Sequence, residues 1–288
     1  MRRSRGSVLI VVLWAVIFFS LVAVTLGVKA RTQLGGLGRF IQITRAKPMA
    51  YSGISYAIEC WRQEKCDAVR EISLPSGSFK IEILDEESKI NLNTAPEGAL
   101  TAIFMSEDKG MERAQQLARG VSAWRQRREE FAEFGHRLGE QGAGFGSVGE
   151  LLVVPGMTEE LWTKIKDSLT VYGRDKVNMN SVSRETLVLL GLDAALAKRI
   201  TDTRTELSDG APWKPGQVIF SDLNDLTQKV GVSPHENGQL QNLGSLWGFD
   251  SQTLRVLSTG APKNTGASAA AVEFVLDKKA RILYLKDM

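Results

Sequence analysis

The sequence is short of the residues that do chemistry. Histidine occurs twice, at His136 and His235, and cysteine twice, at Cys60 and Cys66. The histidines lie far in sequence from the cysteine pair and from each other, without the spacing of a zinc site, and no metal-ligand cluster is visible. Each histidine stands alone in a polar, glycine-containing stretch, with no serine or cysteine elbow to serve, and reads as solvent-facing. "GAGFGS", from Gly142 to Ser147, lacks the Lys-Ser/Thr that completes a phosphate-binding loop and follows no convincing strand; it reads as an inter-helix loop. No catalytic constellation emerges.

Acidic residues are also missing, but only from one end. From Met1 to Lys47 there are eight basic residues (Arg2, Arg3, Arg5, Lys29, Arg31, Arg39, Arg45, Lys47) and no acid. The formal charge of +3 therefore hides an asymmetry. The remainder holds 28 of the 36 basic residues against all 33 acidic ones, a net of −5. A large polyanion is a poor match for that part of the chain.

What is present begins with "MRRSRGSVLIVVLWAVIFF". Val8 to Val28 is an uncharged apolar run of 21 residues, long enough as a helix to cross a bilayer. A cleaved secretory signal has a shorter apolar region and a small-residue cleavage site; "AVT" at Ala23 to Thr25 is a poor version inside the run. An uncleaved signal anchor explains the span equally simply. Orientation is undecided by charge, because Arg2, Arg3, Arg5 and the amine before the span balance Lys29, Arg31 and Arg39 after it.

Beyond the span, Gly35, Gly36 and Gly38 are expected to loosen any helix and Pro48 to kink it. Tyr51, Ile54, Ile58 and Trp61 keep helical spacing and predict one core-facing stripe. Cys60 and Cys66, six positions apart, would face different sides of a continuous helix. A bridge requires the helix to end between them, and a disulfide and two free thiols both stay open. "SGSFKIEILDEE" switches to period two, with Phe79, Ile81 and Ile83 on one face of a strand. Near the far end Val272, Phe274 and Leu276 alternate, Asp277 to Ala280 is a turn, and Ile282 with Tyr284 resumes: a hairpin. "TGAPKNTGASA" reads as the linker leading back into it.

The long stretch between is helical and internally repeated. "KINLNTAPEGAL" from Lys89 recurs as "KVNMNSVSRETL" 87 positions later, and "FGSVGEL" from Phe145 is echoed by "FSDLNDL" from Phe220. Thr94 with Glu97 predicts a capping box; in the second copy Ser181 stays but Arg184 replaces the acid. "VVPGMT" and "LGLD" resemble helix-hairpin-helix turns, which hold a phosphate on backbone N–H groups. Gly156 and Gly191 are present, but Thr158 and Asp193 stand where the second glycine belongs, so nucleic acid is not an expected partner. Asp85, Glu86 and Glu87, in "DEES", are weak candidates for Ca²⁺, without EF-hand spacing; a solvated charge run is the simpler reading.

The very short basic leader ending in Gly6, followed by a small residue and an unbroken apolar helix, resembles a type IV prepilin leader. The resemblance implies cleavage between Gly6 and Ser7 by a prepilin peptidase, N-methylation of Ser7, and an anchor left intact. That family usually places glutamate at the fifth mature position; here it is Val11, which removes a contact to a subunit above. Leader, long helix, split sheet and a duplicated insertion opening with "INLNTA" together resemble the minor pseudopilin family of type II secretion system protein K. The implied fold is α+β: a pilin-like long N-terminal helix on a small antiparallel sheet, with a large all-α duplicated insertion. Its divisions are a leader at 1–6, a transmembrane helix at 7–28, a helical continuation at 29–66, a sheet from 67–88 and 266–288, and the insertion at 89–265. The resemblance further implies a non-enzymatic subunit with no certain cofactor. It sits in the inner membrane, N-terminus cytoplasmic and bulk periplasmic, with other minor pseudopilins as partners, at the tip of a filament whose growth it starts and limits. A DNA-binding receptor and a plain signal-anchored interaction domain are the alternatives.

Overall fold

The computed structural model describes residues 5–108, 110–133, 144–263 and 270–288, with the side chains of 5–8, 32–39, 106–108 and 127–133 left aside. Helix α1 (Arg5–Arg62) runs through Pro48 and through the glycines expected to loosen it. One proline removes one backbone donor, and the flanking turns of a 58-residue helix hold. Strands β1 (Val69–Leu74) and β2 (Gly77–Asp85) follow as a hairpin.

A 3₁₀ turn at Glu86–Ser88 then opens the inserted segment. Its first copy is β3 (Ile90–Asn91), α2 (Glu97–Asp108), α3 (Met111–Glu133), a 3₁₀ stretch at Val148–Val153, α4 (Glu159–Ile165) and β4 (Leu169–Thr170). Its second is β5 (Val177–Asn178), α5 (Arg184–Leu189), α6 (Ala194–Leu207), α7 (Leu223–Val230), α8 (Pro234–Asn242) and β6 (Trp247–Gly248). Each copy closes with a short parallel pairing of its own ends, β3 with β4 and β5 with β6. Both copies share one apolar core that includes Leu100, Phe104, Leu117, Leu187, Ile200 and Phe220, all essentially inaccessible to solvent.

The chain returns through β7 (Thr253–Pro262), β8 (Ala270–Asp277) and β9 (Ile282–Asp287). The sheet is antiparallel throughout, in the order β1-β2-β7-β8-β9. The hairpin at the end forms as expected. The central strand β7 is a correction: the sequence reading placed 89–265 in the insertion and took Thr259 onward as linker. Its helix-facing residues are Leu254, Val256, Ser258 and Gly260, so the apolar alternation fades where the strand passes closest to α1. Asp85 pairs with Leu254 across β2 and β7, so the insertion leaves and rejoins the sheet at adjacent points. Closing so long a segment costs little more than closing a short one.

The helix–sheet contact explains a second difference. The buried stripe of α1 is Ala46, Met49, Ala50, Gly53, Ala57, Cys60 and Trp61, while Tyr51 is exposed and Ile54 and Ile58 are half-buried. Small residues let helix and sheet approach. A Cβ on Gly53 would lie 2.1 Å from Ser258 Oγ, and one on Gly260 2.3 Å from the Ala46 carbonyl oxygen. Phe79, Ile81, Ile83, Phe274 and Leu276 fill the remaining space.

Candidate functional site

The acidic run ending β2 is not solvated. Asp85, Glu86 and Glu87 are respectively 4%, 0% and 1% exposed. They form the turn on which the duplicated insertion meets the sheet, and each carboxylate is turned to protein donors. Asp85 accepts from the Glu87 N–H at 2.9 Å, Ser251 Oγ at 2.7 Å, Asn178 Nδ2 at 2.7 Å and Ser181 Oγ. Glu86 takes a two-pronged bond from Arg255, 2.7 Å at Nε and 2.7 Å at Nη2, and another from Thr170 Oγ1 at 2.5 Å. Glu87 accepts from Arg174 Nη2 at 2.8 Å, from the Gln252 N–H and from Thr253 Oγ1. Arg255 also reaches Glu273 on β8, and Arg174 reaches Asp250.

Elements from both copies thus converge on this turn. Thr170 and Arg174 come from the end of the first, and Asn178 and Ser181 from the start of the second. Burial pushes the Asp85 carboxyl up to about 6, against its four donors. Burial also opposes the charge of Glu86, but Arg255, Lys89 and Thr170 outweigh it and hold that carboxyl below the ordinary range. Two buried carboxylates are each matched to a guanidinium, so removal of either partner strands a charge. Among the described residues no group of three or more His, Cys, Asp and Glu side chains is placed to hold a metal ion.

The repeated asparagines build the copies themselves. Asn91 Oδ1 accepts from the Asn93 N–H, and Asn178 Oδ1 from the Asn180 N–H, closing matching Asx turns. Asn93 bonds both the N–H and the C=O of Phe145, and Asn180 does the same at Phe220, the residues opening the second repeated motif. Arg125 donates to the Leu92 and Ala95 carbonyls; Arg204 donates to those of Met179 and Val182, the equivalent positions. Burial lowers the pKa of both guanidiniums. These two arginines were not legible as a pair, because they lie outside the repeated motifs.

The expected capping box does not form. Thr94 Oγ1 donates to the Arg174 carbonyl and Ser181 to Asp85, while Ser183 caps α5 by accepting from the Thr186 N–H. Gly156 and Gly191 do adopt the positive φ of hairpin turns, 90° and 89°. Thr158 caps α4 by accepting from the Leu161 N–H, and Asp193 at the start of α6 exchanges hydrogen bonds with Gln239, so side chains of this chain engage both helix starts.

Cys60 and Cys66 form a disulfide; α1 ends at Arg62, and Glu64 at φ 53° reverses the chain between them. His235 lies exposed on α8, whereas His136, Gly142 and Ala143 lie outside the described residues. Gly6 and Ser7 fall in the first turns of α1, and Met1 to Ser4 outside the described residues. Leu9–Arg31 is the one helix segment among the described residues long and apolar enough to cross a membrane; none of it is buried in the fold, and Val11 lies within it.

No protein-family model and no curated protein matches the sequence. In fold the chain is similar to the crystal structure of the GspK–GspI–GspJ complex from the type 2 secretion system of enterotoxigenic Escherichia coli. That likeness has a TM-score of 0.56 at 17% identity, and covers 90% of this chain and 99% of the matched one. The chain therefore has a GspK-like, pseudopilin-type α+β fold.

Proposed function

We propose that this chain is a minor pseudopilin that sits at the tip of the type II secretion pseudopilus, helps start its assembly and limits its length. The observation that carries the reading is a pilin-like helix and sheet holding a duplicated helical insertion between two adjacent strands. A head this wide fits poorly inside a repeating helical array, and buried ion pairs tie the insertion to the sheet. Val11 in place of the usual carboxylate removes one contact to a subunit above. The likeness to a complex of three pseudopilins supports hetero-assembly with other minor pseudopilins. The same reading has a prepilin peptidase cut between Gly6 and Ser7 and methylate Ser7, with the anchor in the inner membrane and the rest periplasmic. It assigns the chain no catalysis.

Intact mass and N-terminal sequence of membrane-extracted protein test the processing. The expected chain begins at N-methylated Ser7. A chain retaining Met1 to Gly6, made beside an active prepilin peptidase, contradicts the proposal and leaves a plain anchored domain.

A further inference from the structure

The insertion is tied to the sheet at the joint of Asp85, Glu86 and Glu87, and a second attachment lies apart from it. Between α6 and Phe220 the chain runs through 208–219, "SDGAPWKPGQVI", in neither helix nor strand. Trp213 of this segment packs against the core between α1 and the sheet, whereas Ile200 before it and Phe220 after it belong to the core of the insertion. Lys214 Nζ lies 3.0 Å from Asp67 Oδ1. Pro215 is buried and, with Gly216, shares the walls of a small cavity with Trp61, Glu64 and Cys66. These partners belong to the end of α1 or to the loop 63–68, which the Cys60–Cys66 disulfide staples to the helix.

The segment is shaped in advance for this contact. Pro212 and Pro215 restrict its backbone. Gln217 closes a turn on Lys214: its side chain accepts from the Lys214 N–H at 3.1 Å, and its own N–H donates to the Lys214 carbonyl at 3.0 Å. An open cleft of about 430 Å³ separates the two attachments, with Asp85 and Ser181 of the joint on its walls beside Pro212 and Trp213. A body held at one point can turn about it, and a second, offset contact removes that freedom. We propose that 208–219 is a strap that fixes the direction in which the insertion points from α1, with the ring of Trp213 as its positioning contact. The ring suffices, because the buried indole N–H has no acceptor among the described residues. Trp162, by contrast, donates to the Val148 carbonyl at 3.1 Å and Trp247 to that of Leu240 at 2.9 Å. This holds of the chain by itself. Only its consequence, that the strap keeps the insertion's bulk in the path of a further subunit, rests on the pseudopilin reading.

The test is the distance distribution, by pulsed electron spin resonance, between nitroxides on the full chain in detergent. They are carried on noncanonical residues at the exposed positions Glu160 of the insertion and Lys286 of the sheet, so the disulfide is undisturbed. The unsubstituted chain is expected to give one narrow distance. Trp213→Ala is expected to broaden it about twofold, and Trp213→Phe to restore it. Lys214→Glu sets an acid against Asp67 and leaves the core untouched; it is expected to broaden the distribution by a smaller factor, and it decides the matter where the alanine variant does not fold. A distribution that stays narrow in Trp213→Ala while its melting temperature falls makes Trp213 a core filler and overturns the proposal. So does a Trp213→Phe distribution as broad as that of the alanine variant, or an unchanged one in Lys214→Glu. None of these readings depends on a filament, so the strap and the pseudopilin reading fail separately.

Discussion

Asp85 is the residue on which joint and sheet depend together, and its environment gives it a pH signature. The folded carboxyl holds its proton up to about pH 6, whereas the unfolded chain releases it near 3.8. The stability it contributes is therefore fully present below pH 4 and is lost as pH rises through 6, by up to about 3 kcal/mol. Asp85→Asn cannot titrate. The stability of the unsubstituted protein minus that of the variant is expected to fall between pH 4 and 7, read by denaturant unfolding of both in detergent. A flat or rising difference would mean that Asp85 is not held this way. The three acids were visible in the sequence, but their burial was not, because the guanidiniums that compensate them lie 87 and 169 positions away, at Arg174 and Arg255. The asparagine pairs were legible as a repeat of sequence, but their bonds to Phe145 and Phe220, 52 and 40 positions away, were not.

At the scale of elements, the contact of α1 with β7 decides the packing. It is made by glycine, alanine and serine, so it leaves no hydrophobic signature. Strand β2 and the C-terminal hairpin alternate in apolar residues and were legible. The strand that joins them was not, and of the predicted helix stripe only Trp61 is buried, with Ile54 and Ile58 half-buried at its margin and Tyr51 exposed. Gly53→Ala puts a methyl onto Ser258 and is expected to cost about 1–3 kcal/mol of stability, with recovery of most of that loss in the Gly53→Ala, Ser258→Gly double variant. Thermal unfolding of the three proteins checks it. Equal losses in the single and double variants would show that the helix does not approach the sheet at this point.

For the whole molecule, the insertion is a module hung from two neighbouring strands. The duplication followed from pattern and the fold class from the family resemblance, while the insertion's boundary followed from neither, and the boundary matters for the decisive variant. A deletion running to Thr259 would destroy the central strand. Replacing 86–252 with a short glycine-containing turn keeps β2 paired to β7, whose ends already adjoin. The measurement that tests the central claim is the length distribution, by electron microscopy, of pseudopili assembled with this variant. Co-purification of the variant with the other minor pseudopilins shows that it still assembles. Filaments longer than those made with the intact chain are the expected result, because the bulk that stops addition is gone. An unchanged length distribution would contradict the account and assign length control to something other than the insertion.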